Sequence, residues 1–174
     1  MSTRMRLMWM MVLLSASFAC ATSPKEEVKS KKGRSTVLDF SLPGLDGDLI
    51  SAQQMRGRVT ILLFLTTFDV ASQAQARRLE DLYRTHAPRV NALGVVVEAP
   101  RYATLVSEYR HSLGLSFPLV MGERAVLDTH RELRNVTSVP AWIILNREGE
   151  VMSSAAGALS FDELEKLVRE AEVQ

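Results

Sequence analysis

Two rhythms of apolar and polar residues alternate along most of this chain. Val59-Thr60-Ile61-Leu62-Leu63-Phe64-Leu65 is a continuous, partly β-branched run, which predicts a central strand covered on both faces. From about Ser72 to His86 the spacing becomes helical, with Ala76, Leu79, Leu82 and Tyr83 on one face, charged residues elsewhere, and Pro88 as the stop. A second apolar run, Val90 to Glu98 around Val95-Val96-Val97, predicts another buried strand, and Tyr102, Leu105, Val106 and Tyr109 then recur at helical spacing before Gly114. Strand, helix, strand, helix in that order implies parallel strands joined by right-handed crossovers.

Flanking segments extend the pattern. Val37 to Leu42 is extended, and Pro43-Gly44 leads to Asp46-Gly47, a hairpin turn signal. Ser51 can cap one helical turn that Gly57 closes. After Phe117-Pro118-Leu119-Val120, a helix is predicted over Arg124 to Leu133, then a strand over Ala141 to Leu145, a turn at Arg147-Glu148-Gly149-Glu150, and an antiparallel partner at Val151-Met152-Ser153. The last helix opens on a Ser160/Glu163 capping box and carries Phe161, Leu164, Leu167, Val168 and Ala171 as its apolar stripe. All the apolar positions in these elements are expected in the core.

The first 20 residues have a different layout: Arg4 and Arg6, an apolar run from Leu7 to Leu14, then small residues at Ser15, Ala16, Ser17 and Ala19. This is the pattern of a secretory signal, and the run is short for a membrane span. Ser17-Phe18-Ala19-Cys20 resembles a bacterial lipobox, while Ser17 and Ala19 also suit ordinary secretory cleavage. Lipidation of Cys20 is the expectation, because an acyl anchor gives a lone cysteine at that place a role. Residues 21–37 are polar and basic without apolar periodicity, and are expected to form a flexible tether to a domain at 38–174.

Composition narrows the chemistry. A chain of 174 residues, 47% hydrophobic and 24% charged, can build one core. A net charge of +1 supplies no field to attract nucleic acid, so no nucleic-acid partner is expected. The single cysteine excludes an intrachain disulfide and every multi-cysteine metal site; neither metal nor cofactor is expected.

With these elements in place, the chain resembles the thioredoxin-like TlpA/redoxin group, the membrane-tethered or secreted branch that handles disulfides outside the cytoplasm. The resemblance rests on Phe40 to Gly47, Met55 to Phe68, Phe117-Pro118 and Val139 to Gly149, in that order. It implies an α/β thioredoxin-like fold: a central mixed β-sheet flanked by helices, with an N-terminal hairpin extension. In that group the segment after the first central strand reads like Phe-Trp-Ala-Thr-Trp-Cys-Pro-Pro-Cys. Laid on Phe64 to Ser72, it puts Asp69 and Ser72 at the two cysteine positions, Val70 and Ala71 at the prolines, and Phe68 at the preceding tryptophan.

The group's chemistry needs a thiolate at a helix N-terminus and a second thiol to resolve the mixed disulfide. A carboxylate and a hydroxyl cannot form that pair, and Asp69 or Ser72 is expected instead to cap the helix. His86, His111 and His130 have no cysteine co-ligand and are expected at the surface or at helix ends. The resemblance also implies a cis peptide bond before Pro140, facing the motif, with the Val139 backbone available to a bound peptide.

The expected function is a redox-inactive binding or scaffold module with no catalytic residue. It would be lipid-anchored through Cys20 to a bacterial envelope membrane, facing the periplasm or exterior, or else be soluble in the periplasm. Its partner would be an envelope protein or peptide, met through Phe68, Asp69, Ser72, Val139 and Pro140. The alternative is an enzyme with altered chemistry at Asp69 and Ser72, although no Gly-x-Ser-x-Gly elbow or phosphate loop accompanies them.

Overall fold

The computed structural model describes residues 31–32 and 36–173; the predicted signal segment, with Cys20, lies outside them. The apolar run becomes β4 (Val59–Leu65), every residue of which is buried. It runs parallel to β5 (Val90–Val96) and antiparallel to β7 (Ala141–Leu145), with Leu62 opposite both Leu93 and Ile143. Around this centre a six-stranded mixed sheet forms in the order β1 (Lys31–Lys32), β8 (Val151–Ala156), β7, β4, β5 and β6 (Leu119–Met121). β2 (Ser41–Pro43) and β3 (Leu49–Ser51) make a separate antiparallel hairpin. This is the expected thioredoxin-like architecture with its N-terminal hairpin.

Successive residues of β4 point to opposite faces, so the sheet carries two cores. On one face Ile61, Leu63 and Leu65 meet the helices α1 (Val70–His86), α2 (Ala103–Leu113) and α4 (Phe161–Glu172) through Leu79, Leu82, Val106, Leu164 and Val168. On the other, Leu62 and Phe64 pack with Leu38, Phe40, Leu42, Leu127 and Leu133. Glu80 of α1 is buried and accepts from the Ser116 N–H and hydroxyl, both at 2.7 Å, and from Arg84, tying α1 to the loop after α2.

Local signals explain the ends of the helices. Ser160 and Glu163 cap α4 reciprocally. Gly114 ends α2 at φ +63°, a left-handed conformation that glycine adopts without steric cost. α1 starts at Val70, two residues before the predicted start, because Asp69 caps it.

Four expectations need correction or refinement. The helix predicted over Arg124 to Leu133 is only one turn, α3 (Arg124–Leu127), followed by a turn and a 3-10 segment, Leu133–Asn135. There Thr129 donates to the Val126 carbonyl, and Arg124 donates to the carbonyls of Arg134 and Val136, which folds the following segment back onto the single turn. Leu105 and Tyr102, expected in the core, are 54% and 42% exposed, because α2 buries only the face carrying Val106 and Tyr109. The second strand stops at Val96, which leaves Glu98 in the loop beyond it. Lys31 and Lys32, within the segment expected to be a tether, pair with Ser154 and Ser153 of β8. Main-chain pairing of two residues needs no apolar signature, which is why the pattern of side chains is silent on it.

Candidate functional site

Parallel β4 and β5 both deliver their carboxyl ends to one rim of the sheet, and the start of β7 reaches that rim too, since Phe64 lies opposite Ala141. The loop leaving β4 is held by the loop leaving β5. The Thr67 N–H donates to Glu98 Oε1 at 2.6 Å, and the Val97 N–H to the Leu65 carbonyl at 2.9 Å. Gln73 donates from Nε2 to the Thr67 carbonyl at 3.0 Å, which closes the loop onto α1.

Within this loop Asp69 is the cap of α1. Its Oδ2 accepts from the Ser72 N–H at 2.7 Å and its Oδ1 from the Ala71 N–H at 3.4 Å. The Ser72 side chain, then the Ser72 backbone N–H, hold its carboxyl below the ordinary 3.8 against the opposing effect of burial, with the Ala71 N–H helping less. Asp69 is therefore ionised at neutral pH and is no proton donor there. Ser72 is 0% exposed, and its Oγ accepts from the Thr66 N–H at 3.4 Å. It is thus removed from the set of partner-facing residues: its hydroxyl closes the turn from β4 into α1. Phe68 and Val70 are the opposite case, each 78% exposed beside the capped turn, while Ala71 is also exposed.

Across the rim, the Val139-Pro140 bond is cis, as is Ala87-Pro88. Pro140 is buried and its carbonyl accepts from the Gly157 N–H at 2.8 Å, so it too offers no side chain to a partner; Val139 is half-buried. Among the described residues, Thr137, Ser138 and Val139 direct no main-chain hydrogen bond to the rest of the chain. The proline loop is nevertheless tied to α1. Trp142 donates from Nε1 to the Gly157 carbonyl at 3.2 Å, Leu159 N–H donates to Gln75 Oε1 at 3.1 Å, and Arg78 donates to the Leu159 carbonyl. A cleft of about 620 Å³ opens next to this loop, between Thr137-Ser138 and Ala141, Ala155 and Ala156. Neither Phe68 nor Asp69 lines it.

Glu98, Gln75 and Arg78 were not singled out as site residues by sequence reasoning, yet they build this rim, and Tyr109, expected only as a core residue, lies close to Glu98. Only Glu98, an acid at the end of an apolar run, carried a signal that could have been used. The Tyr109 hydroxyl is buried without a hydrogen-bond partner, and burial, then the Glu98 charge, push its pKa to about 12. The histidines stand elsewhere: His86 is the last residue of α1, buried with Nε2 3.6 Å from Glu165; His111 is in the last turn of α2; His130 follows α3. Among the described residues no group of three or more histidines, cysteines, aspartates or glutamates could hold a metal ion.

Comparison with known proteins places this geometry in a family. The profile of the AhpC/TSA family matches residues 34–154, so the chain belongs to that family. It is 25% identical over 146 residues to the thioredoxin-like protein YneN of Bacillus subtilis, covering 83% of each chain. It is 26% identical over 165 residues to the thiol-disulfide oxidoreductase ResA of Geobacillus kaustophilus, covering 93% of this chain and 91% of that one. The crystal structure of a secreted thiol-disulfide isomerase from Corynebacterium glutamicum superposes with a TM-score of 0.73 at 14% identity, over 86% of this chain and 94% of the other, a likeness of fold.

Proposed function

We propose that this AhpC/TSA-family chain is a thioredoxin-like binding or scaffold module of the bacterial envelope that carries out no thiol-disulfide exchange. The observation that supports this most is at the head of α1: Asp69 is engaged as the helix cap and Ser72 is sealed inside, where the exchange chemistry of related proteins would need two accessible sulfurs. Shared fold does not carry activity across such a change. The free main-chain groups of Thr137 to Val139 and the exposed Phe68 favour a partner strand or loop laid along the rim.

Reduction of insulin by dithiothreitol, followed by turbidity, tests the redox half of this reading. The purified chain is expected to match the rate without protein; catalysis above that rate refutes it. Capture from native envelope, compared between the wild type and a Val139→Pro variant that removes one main-chain donor, tests the binding half. A partner lost on that substitution supports it, and an unchanged set of captured proteins counts against it.

Anchoring is part of the same proposal. Cys20 is taken as the acylated first residue of the mature protein, with a soluble periplasmic form as the alternative. Mass spectrometry of the membrane fraction distinguishes them: an N-terminal diacylglyceryl cysteine supports the anchor, and an unmodified soluble product supports the alternative. The enzyme alternative gains nothing from Asp69, whose carboxyl is ionised and solvated, or from a Ser72 hydroxyl without access.

A further inference from the structure

One edge of the six-stranded sheet is covered only in part. β8 pairs with β7 along one side, and on its outer side β1 covers Ser153 and Ser154 while Val37 bridges to Glu150. Among the described residues nothing pairs with the outer side of Ala155 and Ala156, and Ala156 is exposed.

The ladder fixes which groups are left open. The Gly157 N–H donates to the Pro140 carbonyl on the β7 side, so the alternating pattern turns the N–H and C=O of Ser154 and Ala156 outward. Ser154 meets Lys31 there, whereas Ala156 meets no described residue. Open main-chain groups on a sheet edge are a template for a further strand. Ala156 lies opposite Ala141, which lies opposite Phe64, so this open end belongs to the same rim as the capped turn and the proline loop. Ala155 and Ala156 also line the 620 Å³ cleft.

We infer that the occupant of this edge is the chain's own segment at residues 29–30, which continues β1 along β8 and borders the cleft. Lys31 lies opposite Ser154, so the same antiparallel register sets Ser30 opposite Ala155 and Lys29 opposite Ala156. The main-chain groups of Lys29 then meet the two that Ala156 turns outward. Residue 30 is bonded to a residue that is already paired, so this segment docks without the loss of translational freedom that a strand from a partner or a second copy must offset. The chain upstream of residue 29 therefore leaves the domain at the candidate-site rim. This goes beyond the binding-module reading and does not depend on it.

The test is amide hydrogen exchange, followed by nuclear magnetic resonance, on the full chain in detergent without any partner. In the wild type the Ala156 amide is expected to exchange about tenfold more slowly than in Lys29→Pro, which removes the donor facing β8. Ser30→Pro is the control of register: its N–H would face solvent, where an edge strand tolerates proline, so Ala156 should stay protected. Unchanged exchange at Leu93, in the buried centre of the sheet, checks that each variant is folded. Equal exchange at Ala156 in the wild type and Lys29→Pro would overturn the inference. So would loss of protection in Ser30→Pro as complete as in Lys29→Pro, or protection that grows with protein concentration, which would identify a second copy as the occupant. None of these outcomes touches the binding-module reading, whereas insulin reduction above background defeats that reading and leaves the edge pairing in place.

Discussion

At the scale of single residues, the most informative substitution is at Asp69, because one carboxylate both caps α1 and stands where the resemblance to the thioredoxin-like group would put a cysteine. Asp69→Ala should cost about 1 kcal/mol of stability at neutral pH, while Asp69→Asn should cost much less. The folded-state pKa is depressed, so the ionised group's contribution is present above about 3.8 and is lost as pH falls through its lower folded value. Melting curves of wild type and Asp69→Asn should therefore converge below pH 3.8; an undiminished gap there would show that charge is not the cause. Tyr109 gives the opposite sign. Its pKa is raised to about 12, so its contribution is intact below 10 and is lost as pH rises from 10 towards 12. Tyr109→Phe should flatten that alkaline loss and, by removing an unpartnered buried hydroxyl, stabilise by about 1 kcal/mol, as urea titrations at pH 7 and 11 can measure. Residue identity made Asp69 legible as a cap from sequence. Burial did not follow from identity: Ser72 and Pro140 look like surface candidates until α1 is seen to turn over the end of β4 and Gly157 to bond the proline carbonyl.

At the scale of elements, α4 is where local chemistry and observed structure agree most closely. Ser160→Ala should cost about 1 kcal/mol by removing the acceptor for the Glu163 N–H, and differential scanning calorimetry of that single variant checks it. The central strands and the two long helices were legible because each has a single strong rhythm, continuous for β4 and 3.6-fold for α1 and α4. Arg124 to Leu133 was misread because the apolar spacing is compatible with a helix, whereas the chain makes one turn and Arg124 bonds the carbonyls of Arg134 and Val136 further along, contacts that spacing does not reveal. Tyr102 and Leu105 have helical spacing without burial, since α2 turns only Val106 and Tyr109 to the core. β1 left no trace in the pattern, and neither did the grip of Gln75 and Arg78 on Leu159, a contact between residues more than eighty positions apart.

For the molecule as a whole, one sheet serves two cores, so neighbouring residues of β4 report on opposite sides. Leu62→Ala and Leu63→Ala should each cost about 2–5 kcal/mol, one from the hairpin side and the other from the helix side. Far-UV dichroism and tryptophan fluorescence should still give one coincident unfolding transition in both variants; separated transitions would mean that the faces melt independently. The overall architecture was the most legible property, because it depends on the order of elements and not on their exact ends. The site was less so, since its shape comes from loops whose contacts join distant positions. One consequence follows from the 2.7 Å reach between the side chain of residue 69 and the amide of residue 72. Those positions are the cap and the third residue of the same helix, the sequence separation of a Cys-x-x-Cys pair. Arming the scaffold should therefore take two codon changes, Asp69→Cys and Ser72→Cys, and a gain of insulin turnover would mark the inertness proposed for this chain as reversible by design.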